Sequence, residues 1–145
     1  MKENRYDNEE FFKKYSQMSR SVLGLKGAGE WKALEKILPD FSGKTVLDLG
    51  CGYGWHCKYA ADHGAKEILG IDISCRMLET AKQKNSGNQI QYRQAAMEDL
   101  AFPDGSFDIV FSSLAFHYVR DFTPLVANIN RWMVSGGSLI FSLGH

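Results

Sequence analysis

The segment Thr45–Gly54 reads TVLDLGCGYG and joins an apolar run to three alternating glycines. The apolar half predicts a buried strand, and the residues after Gly54 have helical spacing. Glycine lets the backbone pass close to a ligand and lets N–H groups point toward it. The sequence therefore predicts a small-molecule site where this strand turns into a helix.

Two acidic residues after neighbouring predicted strands indicate what this ligand carries. Asp48 lies two residues before the first glycine, where it would repel a pyrophosphate and attract an ammonium or a sulfonium. Asp72 ends the next predicted strand, 20 residues beyond Gly52, the separation at which a βαβ unit brings an acid to a ribose. The alternative for Asp72 is a helix cap or an ion pair. Trp55 stands where the dinucleotide pattern G-x-G-x-x-G has its last glycine.

These motifs resemble those of a known enzyme family. Val46–Gly54 is similar to motif I of the S-adenosylmethionine-dependent methyltransferases with a Rossmann-like fold, and Leu69–Ser74 is similar to their next acidic strand end. The resemblance covers most of residues 30–143. It is greatest to the small-molecule methyltransferases that include the quinone-biosynthesis C-methyltransferases. It implies S-adenosylmethionine as cofactor, S-adenosylhomocysteine as product and a small-molecule methyl acceptor.

The alternation of predicted strands and helices indicates an α/β fold with an open, mostly parallel sheet. Connectivity rules and the resemblance together suggest the strand order 3-2-1-4-5 with helices on both faces. Residues 1–29 are expected to form an amphipathic helix and a flexible connection, and residues 30–145 the cofactor-binding domain. Family members continue beyond the fifth strand, so Ser138–Leu143 would be an apolar, unprotected edge. We expect a chain truncated after this strand, or a homodimer paired through it.

The resemblance also assigns roles at the carboxyl ends of the strands. Asp48 is expected near the methionyl ammonium of the cofactor, and Asp72 on its ribose. The other expected cofactor contacts are Gly50, Cys51, Gly52, Gly54, Ile73, Met77, Ser113 and Leu114. His117 is the candidate proton acceptor, because an imidazole has a pKa near neutrality. A structural imidazole is the alternative.

Adenine recognition departs from the family pattern. In relatives, an acidic side chain after the third strand accepts from the exocyclic amine, and here that place falls on Ala96. Either Glu98 supplies the acceptor, or adenine is held by the backbone of Met97 and by apolar walls. A Glu98 that faces solvent is the alternative to the first.

The N-terminal segment has two open roles. Phe11, Phe12, Tyr15 and Met18 are spaced so that they share one face of a predicted helix. This helix either packs on the edge of the domain or, as in similar methyltransferases, covers the site as a lid. In the second case Tyr15 and Arg20 are candidates to reach the cofactor carboxylate or the acceptor.

Composition bears on partners and compartment. The 17 basic and 17 acidic residues cancel, so no net charge draws the chain to nucleic acid or to an anionic membrane. No apolar stretch reaches the roughly 18 to 20 residues of a membrane helix, and a cytoplasmic location is expected. Cys51, His56 and Cys57 do not suit a tetrahedral metal site, because Cys51 lies in the glycine loop and the other two begin a helix. No metal is expected.

Two competing functions stay open beside methyl transfer. An NAD-type oxidoreductase shares the strand order and the ribose acid, but it requires the missing last glycine and a pyrophosphate that Asp48 would repel. The other is a fragment that binds the cofactor without turnover.

Overall fold

Five strands and three helices alternate along the part of the chain that the computed structural model describes, residues 38–113 and 122–142. The strands are β1 (Thr45–Leu49), β2 (Glu67–Asp72), β3 (Ile90–Gln94), β4 (Phe107–Ser113) and β5 (Met133–Ser142). The helices are α1 (Trp55–Asp62), α2 (Cys75–Lys84) and α3 (Phe122–Trp132), and a 3-10 turn covers Met97–Asp99. The predictions for the N-terminal helix, Tyr15, Arg20, Leu114 and His117 lie outside the described residues.

The five strands form one sheet in the order β3-β2-β1-β4-β5, and every neighbouring pair is parallel. The predicted order and the parallel sheet are confirmed. Asp48 of β1 is in register with Gly70 of β2 and with Phe111 of β4. Because parallel strands end at one edge of a sheet, the glycine loop after β1 and Asp72 at the end of β2 meet there.

Two apolar cores lie on opposite faces of the sheet, because alternate residues of a strand point to opposite sides. On one face, Val46 packs in a cluster with residues of α1 and α2, including Ala60 and Leu78. On the other face, Leu47 and Leu49 pack in a cluster with α3. The α3 residues of that cluster are Leu125, Ile129 and Trp132. The prediction of helices on both faces is therefore confirmed.

The start of α2 follows the sequence signal closely. Ser74 is extended, and its side-chain oxygen accepts the backbone N–H of Met77 at 3.2 Å, which satisfies an otherwise unpaired donor of the first helical turn. Met77, Leu78 and Ala81 are buried, as their spacing predicts.

Two boundaries differ from the predictions. Thr123 followed by Pro124 predicts a helix with Thr123 as its N-cap and proline at its first position. The helix α3 instead begins at Phe122, so Pro124 lies within the first turn, where its missing N–H leaves no bond unmade. β5 begins at Met133, so the prediction of a strand starting at Ser138 was wrong. Met133 pairs with Phe107 and Ser138 pairs with Ile109, so residues 134–137 bulge out between successive partners.

Candidate functional site

The glycine loop doubles back over the end of β2. The backbone N–H groups of Gly50 and Cys51 both donate to the carbonyl oxygen of Ile71, at 2.7 and 2.9 Å. Gly50, Gly52 and Gly54 all have positive φ angles, 72°, 55° and 83°. Residues with a Cβ atom rarely adopt this conformation, so the alternating glycines are required by the path of the loop.

Asp72 joins this loop to the start of α2. One carboxylate oxygen accepts the N–H of Gly52 at 2.8 Å, and the other accepts the N–H of Ser74 at 2.9 Å. Ser74 and not Asp72 is the N-cap of α2, so the structure does not show the capping alternative from the sequence. The Asp72 carboxylate instead has a structural role, in holding the loop. This role does not compete with a ribose contact, because a carboxylate has about four acceptor positions. The ribose role of Asp72 stays a prediction.

Asp48 is buried below the loop, with only 1% of its surface exposed. Its Oδ2 accepts the thiol of Cys57 at 3.4 Å, whereas its Oδ1 is buried with no hydrogen-bond partner among residues 38–113 and 122–142. Burial raises the pKa of Asp48 to about 8; the bond from Cys57 opposes that rise, and the nearby charge of Asp72 adds to it. An unpaired acceptor in such a dry site is suited to a donor that a ligand brings, and an ammonium fits it in charge and in hydrogen bonding.

The two buried thiols are neutral neighbours of Asp48. A hydrogen bond with Cys51 lowers the pKa of Cys57, but burial and the Asp48 carboxylate outweigh it and raise that pKa to about 11. Burial raises the pKa of Cys51 well above its ordinary value. Cys57 can therefore donate to Asp48 as a thiol. Within residues 38–113 and 122–142, no group of three or more His, Cys, Asp and Glu side chains could hold a metal ion.

The segment after β3 lies beside Asp72. The N–H of Ala95 donates to the carbonyl of Asp72 at 3.0 Å, and the Gln94 side chain donates to the carbonyl of Ile73 at 3.0 Å. Ala96 and Met97 are buried, and the Met97 side chain packs in the core on the α3 face. Glu98 is exposed.

Two further predicted cofactor contacts, Met77 and Ser113, lie in α2 and at the end of β4. Met77 is almost fully buried within α2. Ser113 ends β4, two residues beyond the β4 partner of Asp48.

Two residues that the sequence did not single out hold the loop from the other side. The Asn85 side chain donates to the carbonyl of Tyr53 at 2.8 Å, and the Tyr92 hydroxyl donates to the carbonyl of Asn85 at 2.6 Å. The sequence indicates only a turn at Asn85 and a strand at Tyr92, since no local pattern reports a bond between residues so far apart. The one available signal is Gly70, because a glycine inside a strand often marks a close approach.

Comparison with known proteins shows which proteins share this sequence and fold. Residues 47–141 match the family described as "Methyltransferase domain". A protein of Haemophilus influenzae is 34% identical over 146 residues, covering 97% of this chain and 58% of that protein. The demethylmenaquinone methyltransferase of Bacillus licheniformis is 33% identical over 136 residues, covering 91% of this chain and 58% of that enzyme. The crystal structure of an S-adenosylmethionine-dependent methyltransferase from Mesorhizobium loti superposes with a TM-score of 0.78 at 42% identity, covering 81% of this chain and 55% of that one.

The chain belongs to the S-adenosylmethionine-dependent methyltransferase family with a Rossmann-like fold. The predicted family is confirmed, including its likeness to a quinone-type enzyme. The chain spans little more than half the length of these relatives. In the ranges that the structure describes, no helix has the length and apolar character needed to span a membrane.

Proposed function

We propose that this chain forms the cofactor-binding part of an enzyme that transfers a methyl group from S-adenosylmethionine to a small-molecule acceptor. The observation that carries the proposal is the unpaired, buried Oδ1 of Asp48 beneath a glycine loop whose other side is bonded to Asp72. A cationic amino-acid group and a ribose in one ligand suit these two acids. A small-molecule acceptor is further supported by the demethylmenaquinone methyltransferase among the relatives.

In this proposal Asp48 binds the methionyl ammonium, Asp72 binds the ribose hydroxyls, and the loop from Gly50 to Gly54 supports the methionyl chain. Adenine lies beside Ala96, Met97 and Glu98. The bound cofactor would supply a methyl group carried on a sulfonium, and the neutral thioether S-adenosylhomocysteine that remains after transfer is a good leaving group. The work of the protein is then mostly alignment and exclusion of water, and no covalent enzyme intermediate is needed.

Several finer assignments stay predictions from the sequence. They are His117 as the base, Tyr15 and Arg20 in a lid, Ser113 and Leu114 beside the methionyl group, pairing of two copies through β5, and a cytoplasmic location. The family match favours S-adenosylmethionine over the NAD alternative.

Titration calorimetry of the chain with S-adenosylmethionine, S-adenosylhomocysteine and NAD tests the proposal. We expect the first two to bind and NAD not to bind. Asp72→Asn should weaken S-adenosylmethionine about tenfold, because a hydrogen bond to a charged group contributes about 1.5 to 3 kcal/mol and 1.4 kcal/mol is a factor of ten.

Asp62→Asn is the matched control, because Asp62 is an exposed acid in the last turn of α1 whose side chain pairs with Lys58. It should leave the affinity unchanged. Binding of NAD, or full affinity in Asp72→Asn, would contradict the proposal. Binding of S-adenosylmethionine without turnover on any methyl acceptor would support the binding-only alternative.

A further inference from the structure

We propose that Asn85 and Tyr92 are positioning residues for the cofactor loop. Together with Tyr53 they form a hydrogen-bonded chain, here named the loop clasp, that holds the Tyr53–Gly54 peptide in the conformation that receives the cofactor. The inference rests on the proposed function for the identity of the ligand. The clasp itself is a feature of the protein alone, so it can be measured without a ligand.

Asn85 is the centre of the loop clasp. It follows the last residue of α2 and is a polar residue with only 1% of its surface exposed. Its backbone N–H donates to Ala81 at 2.8 Å, and its side-chain amide donates to the carbonyl of Tyr53 at 2.8 Å. Its own carbonyl accepts the Tyr92 hydroxyl at 2.6 Å. A buried amide is costly unless it is bonded, so the bond to the loop offsets the cost of burying this side chain.

The bond from Asn85 to the Tyr53 carbonyl orients the peptide that joins Tyr53 to Gly54. With its carbonyl held inward, the Tyr53–Gly54 peptide plane is fixed, because a peptide unit is rigid. The N–H of Gly54 then closes a turn onto the carbonyl of Cys51 at 2.9 Å. The carbonyl of Gly54 accepts the N–H of Lys58 at 3.0 Å, which is the first hydrogen bond of α1. The loop clasp thus sets the end of the loop and the direction of the helix after it.

Tyr92 occupies the space that two glycines leave open. A Cβ atom at Gly54 would have the Tyr92 hydroxyl oxygen as its nearest neighbour, and a Cβ atom at Gly70 would lie 2.8 Å from the Tyr92 ring. Burial raises the pKa of Tyr92, so its hydroxyl stays protonated and able to donate. The ring therefore lies directly under the loop, and its hydroxyl holds Asn85 from below.

In the proposed function the loop clasp holds the loop through groups that do not also bind the ligand. The other side-chain anchor of the loop described above is the bond from Gly52 to Asp72, and in the proposed function that carboxylate also receives the ribose. Without the clasp the loop would occupy its binding conformation for a smaller fraction of the time. The apparent dissociation constant rises in inverse proportion to that fraction.

Two variants and a control test the inference in the full chain. Asn85→Ala removes the donor to Tyr53, and we expect S-adenosylmethionine to bind about tenfold more weakly if one molecule in ten keeps the competent loop. Tyr92→Phe keeps the ring and removes only the hydroxyl, and a loss of about threefold is expected on the same reasoning. Ile129→Ala is the control, because Ile129 is a buried α3 residue of the core on the face of the sheet opposite the cluster that Tyr92 packs against, and its truncation should lower the melting temperature. Its affinity should stay within about twofold of wild type.

Amide hydrogen exchange of Gly54 without ligand gives an independent measurement. Its N–H is bonded within the loop, so exchange should become faster in Asn85→Ala and Tyr92→Phe relative to the core amides of β1, but not in Ile129→Ala. Wild-type affinity and exchange in Tyr92→Phe and Asn85→Ala would overturn the inference, as would equal weakening by Ile129→Ala. If Asn85→Ala does not fold, Tyr92→Phe decides. If wild type fails to bind S-adenosylmethionine, the proposed function fails, and the exchange rates still decide on the clasp.

Discussion

Asp48 is an acid kept in a place that favours its neutral form. One of its oxygens has only the Cys57 thiol as a donor, and the other has no partner among the described residues. With the pKa raised to about 8 by burial, most molecules carry a proton on Asp48 at neutral pH. A residue that costs stability in this way is typical of a ligand site.

The first prediction concerns the pH dependence of stability. Between the ordinary pKa of 3.8 and the native value of about 8, the folded chain holds a proton on Asp48 that the unfolded chain has released. Stability contributed by this group is therefore complete below the lower value and is lost as the pH rises through the upper one. In Asp48→Asn this loss should disappear, so that its melting temperature overtakes that of wild type as the pH approaches 8.

Thermal melts from about pH 5 to 8.5 measure this effect. Asp62→Asn should keep the wild-type slope, because its carboxylate is exposed. Parallel curves for wild type and Asp48→Asn would show that Asp48 is ionised in the folded chain.

The second prediction concerns the protonation of Asp48 when a ligand binds. A bound ammonium favours the charged form of Asp48, so binding of S-adenosylmethionine near pH 7 should release a proton. The heat of binding should then differ between phosphate and Tris buffers, which have different ionisation enthalpies. Methylthioadenosine lacks the amino-acid part and should release none. Equal heats in both buffers would place the ammonium away from Asp48.

At the scale of elements, β2 is shaped by the absence of a side chain at Gly70. A Cβ atom there would lie 2.8 Å from the Tyr92 ring and 3.0 Å from the sulfur atoms of Cys51 and Cys57. The backbone of Gly70 is ordinary for a strand, so close packing alone requires the glycine. This single position makes room for the ring and the thiols beneath the loop.

The third prediction tests that packing. Alanine normally stabilises a strand relative to glycine, yet Gly70→Ala should lower stability by about 1 to 3 kcal/mol, because overpacking forces neighbours apart. It should also weaken S-adenosylmethionine binding, since the displaced groups lie under the loop. Chemical unfolding and calorimetry measure the two effects. Gly87→Ala, at an exposed turn where the nearest atom would be 3.4 Å away, is the control and should change neither property strongly.

The elements also show where sequence patterns suffice. Ser74 and the apolar spacing behind it predicted α2, because a cap and one buried face are local features. The start of β5 was missed, because Ser135, Gly136 and Gly137 have the composition of a loop. A Cβ atom at Gly137 would lie 2.9 Å from the carbonyl of Asp108, so the glycines allow a bulge to pack against β4. The start of β5 can therefore be recognised only from its pairing with β4.

At the scale of the whole molecule, the sheet order and the meeting of Asp48 with Asp72 follow from rules about parallel strands. The burial of Asp48, the donor role of Cys57 and the loop clasp do not, because each depends on side chains that the folded sheet brings together. Asn85 is 32 residues from Tyr53 along the chain, and only the folded structure brings the two together. Long-range contacts of this kind leave no periodic trace in the sequence.

The groups that surround the glycine loop come from β1, β2, β3 and the two helices between them. From Asp48 to Tyr92 they form one uninterrupted piece of the chain, and β4 and β5 lie on the far side of β1. Under the proposed function, substitutions outside this unit leave the cofactor contacts of Asp48 and Asp72 in place. Under the proposed function, one continuous segment of the chain thus carries the recognition of the methyl donor, separately from whatever selects the acceptor.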